Sequence, residues 1–129
     1  MRILSAVLAG AGLQFAFAHA ASAEPLRGSW SGSGYVKPAN GDRERVSCRV
    51  NYQPQGSSTV AVSATCASAS TTIHQTGQLT MVSANKYIGD FYNSEYDMSG
   101  RIRVTVSGGS QSVSFSGDKG SGNLSLSRR

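Results

Sequence analysis

The chain has 129 residues, with 12 Lys and Arg against 7 Asp and Glu, two cysteines and two histidines. That length accommodates one domain of ordinary size and not two. So few histidines and cysteines exclude a zinc centre of ordinary composition if the cysteines pair with each other, and leave little for chemistry built on an imidazole.

The amino-terminal residues read as an export signal. Arg2 supplies the positive start, 3–17 form an apolar run, and Ala21-Ser22-Ala23 is a small-x-small cleavage site. Residues 1–23 are therefore expected to be removed, and 24–129 to form a single domain. The apolar run is broken by Gly10, Gly12 and Gln14 and falls short of the roughly 20 residues a bilayer core requires, which argues against a retained anchor. The first cysteine is Cys48, so none follows the signal where a lipoprotein would carry its lipid. The expected product is soluble, periplasmic or secreted, and in that compartment Cys48 and Cys66 should form a disulfide.

Beyond the signal, Gly, Ser and Thr are frequent, yet the apolar residues alternate. Val46, Cys48, Val50 and Tyr52 interleave with Arg45, Ser47, Arg49 and Asn51, the period of a strand with one buried face. The pattern returns at Val60/Val62/Ala64/Cys66, Ile102/Val104/Val106, Val113/Phe115 and Leu124/Leu126. Turn residues separate the runs, and the spacing predicts eight strands over 27–37, 43–53, 58–67, 71–82, 86–92, 98–107, 110–117 and 121–128. In the fifth strand, Tyr87/Gly89/Phe91 and Ile88/Asp90/Tyr92 compete for the inner face.

Hairpin register follows from matching buried residues across neighbouring strands. Cys48 opposite Cys66 sets Val50 against Ala64 and Tyr52 against Val62. A Gly108-Gly109 turn pairs Val104 with Val113, and a Lys119-Gly120 turn pairs Phe115 with Leu124 and Val113 with Leu126. In the first hairpin, Val36 opposite Val46 brings Trp30 to face Tyr52. The resulting meander hides its edges by closing into a small eight-stranded antiparallel barrel; a two-sheet sandwich is the alternative. The interior residues are mostly small, and the expectation is a filled core with a shallow mouth.

Leu26-Arg27-Gly28-Ser29-Trp30-Ser31-Gly32-Ser33-Gly34, followed by Glu44, Val46 and Cys48-Arg49, resembles a family of small exported alphaproteobacterial proteins that share W-S-G-S-G and E-x-V-x-C-R. This resemblance implies a periplasmic protein and carries over no catalytic residue. Gly28-Ser29-Trp30 on the first strand also resembles the opening of calycin-type barrels, including periplasmic metalloprotease inhibitors of similar size. That likeness implies a barrel and, as an alternative function, protease inhibition by an extended amino-terminal arm; only Glu24, Pro25 and Leu26 precede the first strand here.

Catalytic machinery is not legible. His74 is the one histidine beyond the signal and reads as a solvent-facing strand residue, and no G-x-S-x-G singles out a serine. Asp90, Asn93, Glu95 and Asp97 are rich in oxygen, but their spacing fits no calcium loop and reads as a polar turn; in a hydrolase, Asp90, Glu95 and Asp97 would be the first suspects. No metal or cofactor is expected, and the protein reads as a monomeric, non-enzymatic binding module. Trp30 and Tyr52 are either core packing or a stacking platform for a ring-shaped ligand.

In a meander, alternate strand directions sort charge between two ends. Arg27, Lys86, Arg128 and Arg129 fall at one end, while Asp42, Glu44, Asp90, Glu95, Asp97 and Asp118 mix with Lys37, Arg43, Arg101 and Lys119 at the other. The basic pole is a candidate dock for an anionic envelope glycan, a lipid head group or an acidic protein surface; solubility alone is the competing explanation. A continuous basic face with stacking elements is missing from the pattern, which excludes nucleic acid as the expected partner.

Overall fold

A computed structural model describes residues 22–129; the export signal expected over 1–23 lies almost wholly outside them. Eight antiparallel strands follow in chain order: β1 (Gly28–Pro38), β2 (Glu44–Pro54), β3 (Thr59–Ala67), β4 (Thr72–Ser83), β5 (Lys86–Asn93), β6 (Met98–Ser107), β7 (Ser110–Gly117) and β8 (Gly120–Arg128). Each pairs with the next, and β8 pairs with β1 to close the barrel. Closure satisfies both edges of the sheet, the physical gain that favours a barrel over a sandwich when the described residues include no α-helix to cover an edge. Every strand boundary lies within one residue of its sequence-based expectation.

The alternation sets which residues point inward. Val46, Cys48, Val50 and Tyr52 are buried, and Cys48 bonds Cys66 directly across the β2–β3 pair. The β2–β3 and β6–β7 registers are those expected, with Val50 opposite Ala64 and Val104 opposite Val113. In β5, Tyr87 and Phe91 take the interior, and Tyr92 is exposed.

Two hairpins depart from expectation by two residues. In β1–β2, Trp30 faces Val50, and Gly28 faces Tyr52. In β7–β8 the two-residue turn is Asp118-Lys119, so Phe115 faces Gly122 and Val113 faces Leu124. A slip of two keeps every inward side chain inward, so alternation alone cannot detect it. Close approach between strands decides it instead. A Cβ on Gly32 or Gly34 would lie 1.9 Å from the carbonyl oxygen of Ser125 or Asn123, and one on Gly122 would lie 2.5 Å from Phe115 Cζ. These glycines admit β8 and the Phe115 ring.

A short 3₁₀ turn, Glu24–Leu26, precedes β1 and was not expected from the sequence. Leu26 is wholly buried with Trp30 and Tyr87, and Ala23 is 1% exposed. The turn thus seals the barrel end where β1 begins. Arg128 clamps it, with its guanidinium 4.4 Å from the Trp30 ring centre and donating to the carbonyls of Arg27 and Pro25. The Trp30 indole N–H donates to the Leu26 carbonyl at 3.0 Å.

Candidate functional site

At the other end the barrel is not filled. A cavity of about 290 Å³ runs from Tyr52 and Leu79 in the depth to the hairpin loops at the rim, where Pro38, Ser68, Met98 and Lys119 border it. This corrects the expectation of a filled core. Apart from Tyr52 at the floor, the inward residues of β2, β3 and β4 are small or medium, and Gly77, Gly117 and Gly120 contribute no side chains to the wall. An eight-stranded barrel of this girth therefore keeps space that such residues cannot occupy.

The walls are apolar. Val46, Val62, Ala64, Ile73, Ile102 and Leu124 line them, with Phe91 and Phe115 in edge-to-face contact at 6.2 Å between ring centres. Each ring lies against glycine: a Cβ on Gly100 would come within 2.8 Å of Phe91, as one on Gly122 would meet Phe115. The rim carries Lys37 and Lys119 against Glu44 and Asp118, so it selects for no net charge on an entering molecule.

Polar groups in the wall are few. The Tyr52 hydroxyl donates to Gln111 Oε1 at 2.5 Å, and burial raises its pKa well above that of a free phenol. Gln75, on β4, also lines the cavity. Its Oε1 accepts from Asn93 Nδ2 at 3.0 Å, while its Nε2 is buried and has no acceptor among the described residues.

The residues singled out in the sequence divide between the two ends. Tyr52 reaches the cavity, but Trp30 is buried at the sealed end and offers no platform there. Arg27, Lys86, Arg128 and Arg129 do share that end, as expected. Arg27 is paired with Glu24 at 2.9 Å, however, and Arg128 holds the 3₁₀ turn. More of the basic surface lies on the barrel wall, where Arg43 stacks on Tyr35 at 4.1 Å and Arg45 donates to its hydroxyl at 3.4 Å.

Asp90 is paired with Arg101 on the outer wall, Asn93 is buried, and Glu95 and Asp97 sit in the exposed β5–β6 turn. His74 points outward beside Thr65. Among the described residues no three His, Cys, Asp or Glu side chains gather as metal ligands would. No described helix is long and apolar enough to cross a membrane. Gln75 and Asn93 were missed as site residues. The available signal was a glutamine in an inward position, between Ile73 and Leu79 on the same face of one strand.

Comparison with protein-family models and with curated proteins returns no match. Among solved structures, the chain is similar to a redesigned β-barrel, mFAP1, bound to DFHBI, with a TM-score of 0.69 and 15% identity over 85% of this chain and 100% of that one. It is also similar to a de novo designed fluorescence-activating β-barrel, with a TM-score of 0.65 and 17% identity over 86% of this chain and 100% of that one. At such identities the likeness is one of fold.

Proposed function

We propose that the protein is an exported, non-enzymatic binding module that takes one small, largely apolar molecule into the open end of its barrel. The observation that carries this reading is the cavity of about 290 Å³ with its apolar wall. An apolar cavity of about 150 Å³ accepts benzene, so this one has room for two or three fused rings. The volume stands near the lower end of the range for ligand sites. The disulfide is in keeping with an oxidising compartment, and the solved barrel bound to DFHBI illustrates that the fold can hold a small molecule.

Two other readings draw less support. An anionic envelope partner at the basic pole would have to compete for Arg27 and Arg128, both engaged within the protein. Inhibition of a protease by an inserted arm calls for an extended segment before β1, whereas Glu24–Leu26 is coiled and Leu26 is buried.

The test is a titration of the purified protein with fluorene, followed by the chemical shifts of the wall methyl groups. Saturable binding is expected, and Ala64→Phe, which projects a ring into the cavity, should abolish it while the strand content stays unchanged. Absence of saturation in the natural sequence, or equal affinity in Ala64→Phe, would overturn the reading.

A further inference from the structure

The outer wall carries a groove of about 250 Å³ where β1 meets β8, bordered by Tyr35, Lys37, Arg43, Ser121 and Asn123. Strand register assembles it. Tyr35 stands between Arg45 on β2 and Asn123 on β8, and Lys37 lies opposite Ser121. All of these residues are exposed.

Two guanidinium groups converge on Tyr35. Arg43 lies 4.1 Å over its ring centre, and Arg45, at 5.8 Å, donates to its hydroxyl at 3.4 Å and to Ser33 Oγ at 3.3 Å. Among the described residues the ion pairs are Arg27–Glu24 and Arg101–Asp90, so Lys37, Arg43 and Arg45 meet no carboxylate. The acidic neighbours in sequence do not neutralise them: Asp42 pairs with none of the three, and Glu44 is turned to the cavity side, where its Oε1 accepts from the Ser70 hydroxyl at 3.0 Å. Like charges gathered on one ring repel, and a bound anion relieves that repulsion. Tyr35 and Ser33 hold the guanidiniums in place beforehand, which lowers the ordering cost of binding.

The rest of the groove narrows the kind of anion. Both arginines engage the Tyr35 ring, and no other aromatic or large apolar side chain is exposed there. A nucleobase therefore finds no free stacking platform, and a lipid chain no apolar surface. Ser121, Asn123 and the Tyr35 hydroxyl present instead the hydroxyl and amide groups that pair with sugar hydroxyls.

We infer that this groove binds an acidic saccharide, with a carboxylate held by Arg43 beside Arg45 and Lys37, and ring hydroxyls held by Ser121 and Asn123. The inference does not depend on what the cavity binds.

Titration of the purified protein with tetragalacturonate, followed by backbone amide chemical shifts, tests it. Saturable binding is expected, several-fold weaker when the ionic strength rises from about 0.05 to about 0.3 M. The fully methyl-esterified oligomer has the same rings without the charge, and should bind at least about 10-fold more weakly. The double variant Arg43→Gln, Arg45→Gln should lose about 10-fold or more in affinity while keeping the circular dichroism of the natural sequence. Lys86→Gln with Arg103→Gln removes equal charge from β5 and β6, and should stay within about twofold of the natural sequence. Tyr35→Ser keeps every charge but removes the seat of the guanidiniums, and should weaken binding about threefold or more. Absence of saturation by tetragalacturonate, or equal loss in the two double variants, would overturn the inference. So would tighter binding of phosphatidylglycerol vesicles or of an oligothymidylate, which would assign the groove to a lipid surface or to nucleic acid. Fluorene titration reads the cavity alone, so failure of one reading is told apart from failure of the other.

Discussion

Tyr52 illustrates how one side chain serves two regions. Its ring lines the floor of the cavity, and its hydroxyl donates to the side-chain oxygen of Gln111, a buried glutamine on β7. Burial favours the neutral phenol, so the folded state holds its pKa above the ordinary value near 10. In the unfolded chain the phenol ionises at that ordinary value. The associated stability is therefore complete below about pH 10 and declines as the pH rises above it. Tyr52→Phe should lower stability near neutrality by about 1–3 kcal/mol, because Gln111 loses its donor. The variant should also lose less of its remaining stability between pH 9 and 11.5. Urea unfolding across that range measures both effects, and an equally steep alkaline decline in the two proteins would show that Tyr52 does not contribute. Arg128 was legible in the sequence as a charge at a pole. Its work is local, since it stacks on Trp30 and donates to two carbonyls of the sealing turn, and only the tertiary approach of β8 to the segment before β1 creates that opportunity.

Strands were the most legible level of this molecule. Alternation located all eight within a residue, because a strand with one wet and one dry face must repeat every two residues. Register was less accessible. The disulfide tied β2 to β3, and the Gly108-Gly109 turn tied β6 to β7, but β1–β2 and β7–β8 each slipped by two. What distinguishes the two registers is steric contact, across the β1–β8 closure for Gly34 and within the β7–β8 hairpin for Gly122 against Phe115. Gly34 packs so tightly on β8 that a Cβ would stand 1.9 Å from the Asn123 carbonyl oxygen. Gly34→Ala should therefore part β1 from β8 and cost about 3 kcal/mol or more. Gly109→Ala is the control: no atom lies within 4 Å of its Cβ position and its φ is not positive, so its urea midpoint should stay close to that of the natural sequence. Similar midpoints for the two variants would refute the role assigned to Gly34.

At the scale of the whole molecule, eight strands enclose more volume than their small inward residues fill, and a sealing turn closes one end only. The disulfide bridges residues 18 apart on β2 and β3. In the chain-entropy account a loop of that size contributes about 3 kcal/mol. The double variant Cys48→Ala, Cys66→Ala should be less stable by roughly that amount in urea while retaining the barrel, since the remaining strand pairs do not depend on sulfur; an unchanged midpoint would contradict it. The alternation, the turns and the presence of just two cysteines in the sequence are local or compositional facts, and by themselves they pointed to the all-β class, the strand limits and the disulfide. The cavity, the sealed end and the buried, unpartnered amide nitrogens of Gln75 and Gln111 were decided only by tertiary structure. Each depends on how residues distant in sequence divide a shared space, and on which hydrogen-bond partners that division leaves unmatched.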